Sequence, residues 1–128
     1  MKKRRRKSRR AKKGIYESKK GGPCKYRSGW ELLYLQSLDE DPDVIEFWFE
    51  PFKIPYVCGR AKKVRNYIPD VLVKRSGRTL LIEIKPLKRV SGRVVQAKAD
   101  AARRWCQDNN ASFEFVTEVD LFKKTPRS

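Results

Sequence analysis

The sequence predicts a small α/β domain, a mixed sheet flanked by helices, behind a basic tail with no fold of its own. Three observations carry this reading. A two-stranded pattern runs from Tyr67 to Pro86, apolar residues recur at helical spacing near 26–38 and 94–109, and β-branched and aromatic runs at 44–49 and 112–117 read as strands. The expected order is helix, three strands, helix, strand.

Residues 1–22 contain twelve Lys or Arg against one Glu, with Ile15 and Tyr16 as their sizeable apolar groups. Such a segment cannot offset its ordering entropy by burial, so residues 1–24 are expected to be disordered when free. Salt-sensitive attachment to phosphates is its expected role; a solubilising or targeting run has the same composition. The domain then spans 25–128.

The first helix begins near Tyr26. Ser28 followed by Glu31 matches a capping box, and Trp30, Leu32, Leu33, Leu35 and Leu38 supply the apolar face. Capping alone accounts for Glu31, although its spacing puts it on the stripe of Leu35 and Leu38. Residues 39–43, acidic and containing Pro42, close the helix. Val44 to Phe49 is the first strand, bent or at an edge because Pro51 and Pro55 follow. Glu50, beside that break, reads as a solvated loop residue or a support for the site. Residues 58–66 read as a connection rich in Arg60, Lys62, Lys63 and Arg65, suited to phosphate contact or to plain solvation.

Around Arg75-Ser76-Gly77-Arg78 the alternation of Val, Leu and Ile sets a hairpin with Ser76-Gly77 at its turn. That register puts Asp70 opposite Glu83, with Lys85 on the same face, and collects Val71, Val73, Leu80, Ile82 and Ile84 on the other. A one-residue slip would bury the charges. After a basic loop at 86–93 comes a helix over 94–109 with Val95, Ala99, Ala102, Trp105 and Cys106 on one face. Lys98 shares that stripe, so it either points toward the hairpin or snorkels to solvent. The strand at 112–117 and a short turn at 119–122 end the domain.

Facing carboxylates destabilise a sheet unless they are protonated, paired or bound to a cation. Mg²⁺ between Asp70 and Glu83, with the backbone carbonyl of Ile84, would relieve the repulsion, and Lys85 would sit beside the ion's water. A surface hairpin with a Glu83 to Lys85 neighbour pair and a solvated Asp70 explains the same residues. Lys and Arg outnumber Asp and Glu by 32 to 15 over 128 residues, a net charge of +17, which points to a polyanion and first to nucleic acid. Besides the loop residues Arg60, Lys62, Lys63 and Arg65, the candidates for DNA contact are Arg27, Lys88, Arg89 and Lys98. Cys24, Cys58 and Cys106 are odd in number and widely spaced, and the chain has no His, which argues against a disulfide framework, a zinc site and His-based hydrolysis. With no long apolar run and no apolar segment behind the basic start, neither a membrane span nor a signal peptide is expected, and the protein is expected to be soluble and intracellular.

Ser28-Gly29-Trp30-Glu31, then Tyr67-Ile68-Pro69-Asp70, then Ile82-Glu83-Ile84-Lys85 resembles the PD-(D/E)xK nuclease superfamily with its restriction-endonuclease-like core. Within it, the phrases at 26–31, 54–56 and 82–86 resemble the head completion nucleases of tailed phages and the catalytic domain of TnsA endonucleases, over roughly residues 25–120. The resemblance implies Mg²⁺-dependent cleavage of DNA, with Mn²⁺ as a substitute. It implies Asp70 and Glu83 as metal ligands, Lys85 as catalytic lysine and Glu31 as the helix carboxylate completing the metal site. It also implies phage capsid or portal proteins as partners and association with a virion. TnsA enzymes carry a further C-terminal domain, and at 128 residues a transposase partnership is not expected here. The rival expectation is a non-catalytic basic nucleic-acid-binding or capsid-associated protein on the same fold.

Overall fold

The computed structural model describes residues 13–123. Strands β1 (Gly14–Ser18) and β2 (Gly22–Tyr26) form a hairpin, followed by α1 (Gly29–Glu40), β3 (Val44–Phe49), β4 (Ile54–Cys58), β5 (Lys63–Tyr67), β6 (Val71–Arg75), β7 (Arg78–Ile84), α2 (Arg93–Asp108), β8 (Ser112–Val116) and the single-turn helix α3 (Glu118–Phe122). A four-stranded sheet in the order β3-β6-β7-β8 is antiparallel except where β8 runs parallel to β7; β1-β2 and β4-β5 are separate antiparallel ribbons. This is the mixed sheet flanked by helices that the sequence predicts.

The β6-β7 register is the expected one, with Val71 opposite Ile82 and Val73 opposite Leu80. Their side chains join Leu35, Leu38, Phe47 and Cys24 in a core between the sheet, α1 and the β1-β2 ribbon. The face bearing Leu81 is covered too. Leu81, wholly buried, packs with Ile54, Tyr56, Tyr67, Ala101, Ala102 and Cys106 in a second core beneath α2 and the β4-β5 ribbon. β7 is thus a central strand buried on both faces, which is why Leu80-Leu81-Ile82 is a continuous apolar run instead of an alternation.

Two expectations are corrected. Disorder through residue 24 fails from Gly14 onward, because tertiary contacts supply what composition lacks. The Asp39 carboxylate accepts the backbone N–H groups of Lys19 and Lys20 and the Tyr16 hydroxyl, Gly21 lies against the Phe47 ring, and Cys24 is fully buried. The expected tail is left with residues 1–12, outside the described residues. The connection at 58–66 is in part a strand: Lys63 to Tyr67 pairs residue by residue with Cys58 to Ile54, so five strands separate the long helices. Four of the five residues of β5 are exposed, and no burial pattern announced it.

Candidate active site

The site is built at the end of the sheet where β6 begins and β7 ends. Asp70 sits just before β6, where its N–H donates to the Ile82 carbonyl at 3.1 Å and its carbonyl accepts the Glu50 N–H at 2.7 Å. Its side chain is fixed as well, since Oδ2 accepts the Ile84 N–H at 2.7 Å. Glu83 and Lys85 stand on β7 and just past it, and the Lys85 N–H donates to the Val116 carbonyl at 2.9 Å, so β8 braces the lysine. Lys85 Nζ lies 3.6 Å from Glu83 Oε2, with the two side chains 21% and 12% exposed.

Glu31 reaches the same place from α1. Ser28 caps the helix through the Glu31 N–H at 3.1 Å, while Glu31 Oε1 accepts the Arg27 N–H at 2.7 Å. Capping therefore engages Glu31, as its spacing suggests, yet its side chain also lines an open cleft of about 360 Å³ shared with Trp30, Asp70, Glu83, Ile84, Lys85 and Arg89. All four polar positions singled out from the sequence thus border one cleft.

Electrostatics mark Asp70 and Glu83. Burial, and after it the charge of Glu83, pushes Asp70 well above the ordinary carboxylate range. Burial likewise raises Glu83, opposed by the Tyr67 hydroxyl and by the charges of Lys85 and Lys98. Two acids held together where each is costly to ionise form a site that a cation would stabilise. Their donors are oxygens, which suits a hard ion such as Mg²⁺ that keeps several waters. Among the described residues no three Asp, Glu, Cys or His side chains are gathered closely enough to hold a metal by themselves. Glu31, with Oε1 on the Arg27 N–H, borders the same cleft and its charge also acts on Asp70, so the donors present suit a hard cation.

The basic candidates divide. Arg89 lines the cleft. Arg27 and Lys88 are exposed, and Arg27 pairs with Glu50. That pairing, with the Glu50 N–H bonded to Asp70 and a left-handed φ of 49°, makes Glu50 a strut under the site. Arg60, Lys62, Lys63 and Arg65 are exposed on the β4-β5 ribbon, outside the cleft. Of the two orientations open to Lys98, the side chain takes the one toward the hairpin: its ammonium lies 5.7 Å from the Tyr56 ring and 5.6 Å from the Tyr67 ring, in a small cavity shared with Glu83. Sequence reasoning missed Tyr67 itself, whose hydroxyl donates to Glu83 Oε1 at 2.7 Å. A tyrosine three residues before the acid was the available signal. It also missed Trp30 as a cleft residue, where its ring meets Phe122 edge-on at 6.0 Å.

No helix among the described residues is long and apolar enough to cross a membrane. Residues 41–118 match the family described as TnsA-like endonuclease N terminal. The chain is also 38% identical over 88 residues to the head completion nuclease of Enterobacteria phage T4, an alignment covering 66% of this chain and 59% of that protein.

Proposed function

Since the chain belongs to the family of TnsA-like endonuclease N-terminal domains, we propose that it is a Mg²⁺-dependent DNA endonuclease with a PD-(D/E)xK centre at Asp70, Glu83 and Lys85. The observation that carries the reading is the meeting of Asp70 and Glu83 in one cleft with Lys85 Nζ 3.6 Å from Glu83. Asp70, Glu83 and the Ile84 carbonyl would hold Mg²⁺, or Mn²⁺ in its place; when bound, the ion polarises the phosphate and acidifies water. Lys85 donates to phosphate oxygen where charge develops, a role that a preorganised cation fills without reorientation. Glu31, on the opposite wall, accepts hydrogen bonds from water entering the cleft. Arg89 at the rim holds a flanking phosphate, and the exposed cations of the β4-β5 ribbon attract DNA without reading its bases. The chain has no His, so no imidazole serves as general base.

Similarity to a head completion nuclease extends the proposal to processing DNA ends in phage heads, with capsid or portal proteins as partners and a place in the virion. Plasmid nicking tests the catalytic core. Asp70→Ala and Lys85→Ala should each abolish nicking in Mg²⁺ while salt-dependent DNA binding persists. Cutting at the parental rate by both variants rejects the assignment of the centre to these residues.

A further inference from the structure

Glu83 is held by Tyr67, from outside its own hairpin, and by Lys85 just past its own strand. Tyr67, at the end of β5, is 4% exposed and donates to Oε1 at 2.7 Å, whereas Lys85 Nζ approaches the other oxygen, Oε2. Different partners on the two oxygens fix the plane of the carboxylate. Lys98, on α2, lies within cation–π range of the Tyr67 ring and lines the same small cavity as Tyr67, Glu83 and Lys85. A buried phenol carries a desolvation cost that phenylalanine of the same shape would avoid, and Glu83 is the partner that offsets it.

Resting on the metal-nuclease reading above, we propose that Tyr67 is a positioning residue that orients Glu83 toward a divalent cation, with Lys98 steadying its ring. With Oε1 committed to Tyr67 at 2.7 Å, an ion would be met through Oε2, which has only the longer 3.6 Å approach of Lys85 Nζ. Tyr67→Phe removes the hydroxyl and keeps the ring, so the packing beneath α2 and the contact with Lys98 persist.

The test is a Mn²⁺ titration of the full chain followed by electron paramagnetic resonance, with Asp70→Asn as a control and circular dichroism to verify the fold. Loss of an outer partner of a metal ligand weakens binding by roughly 10- to 100-fold, and Tyr67→Phe should show a loss of that order. In Mg²⁺ its kcat should fall while its KM for DNA stays near the parental value. A folded Tyr67→Phe protein that binds Mn²⁺ as tightly as the parent overturns the role of Tyr67 and leaves the nuclease reading intact. A parent whose Mn²⁺ binding is absent or indifferent to Asp70→Asn overturns the metal reading, and this inference with it.

Discussion

Gly21→Ala tests whether the β1-β2 ribbon belongs to the folded domain. A Cβ built on Gly21 would stand 2.3 Å from Phe47 Cε1 and 2.5 Å from Cδ1. Carbon atoms pack comfortably at about 3.5–4.0 Å, so the overlap exceeds about 1 Å. The ring cannot retreat easily, since Phe47 is 1% exposed and its own N–H is tied to the Lys20 carbonyl at 3.2 Å. Overpacking of this kind costs about 1–3 kcal/mol, offset by about 0.4–1 kcal/mol from the less flexible unfolded chain. A net loss of about 1–2 kcal/mol in a domain of this size lowers the melting temperature by roughly 4–10 °C. Thermal unfolding followed by circular dichroism reads the shift, and limited trypsin digestion should cut faster at Lys19 and Lys20. Phe47→Leu in the same chain should recover part of the loss, so that the double variant is more stable than the two single changes summed. An unchanged melting temperature with parental resistance to trypsin refutes the packing of this turn on the core.

Stability in the presence of a chelator should respond to pH through Asp70. Its raised pKa means that the folded chain holds a proton the unfolded chain has released, so the metal-free protein loses stability as pH rises from about 4 through the raised value. Asp70→Asn, whose amide oxygen can still accept the Ile84 N–H, should therefore be more stable than the parent at pH 8 in chemical denaturation, with the gap closing as pH falls toward 4; a pH-independent gap contradicts this. Replacing Lys62 and Lys63 by Gln should flatten the dependence of DNA affinity on salt, the slope of log K against log salt falling in size by about 0.9 for each phosphate that the ribbon no longer neutralises. An unchanged slope removes the ribbon tip from the DNA interface.

Legibility followed the range of the forces involved. The β6-β7 register could be read because a two-residue turn and side-chain alternation are local, and every residue of 71–75 meets the partner that they dictate. The start of α1 was visible for the same reason, through Ser28. The β1-β2 ribbon was hidden because its anchors, Asp39 and Phe47, lie about twenty residues or more along the chain from the turn they hold. Lys98 was ambiguous on its own helix, and Tyr56 and Tyr67 on the β4-β5 ribbon decide which way it turns. For the site, sequence placed Asp70, Glu83 and Lys85 on one face, but only the three-dimensional fold shows Glu31 bordering the same cleft while bonded to Arg27.

The parallel pairing of β8 with β7 has a consequence for synthesis. The two strands are joined through all of α2, so a nascent chain that has emerged only as far as Asn109 carries β7 as an uncovered sheet border, with the Lys85 N–H still waiting for the Val116 carbonyl. Every residue assigned to the cleft is by then already made. Completion of the site is deferred to the last strand, and until that strand docks the ribosome-bound intermediate offers its central hydrophobic segment to any neighbouring chain able to pair with it.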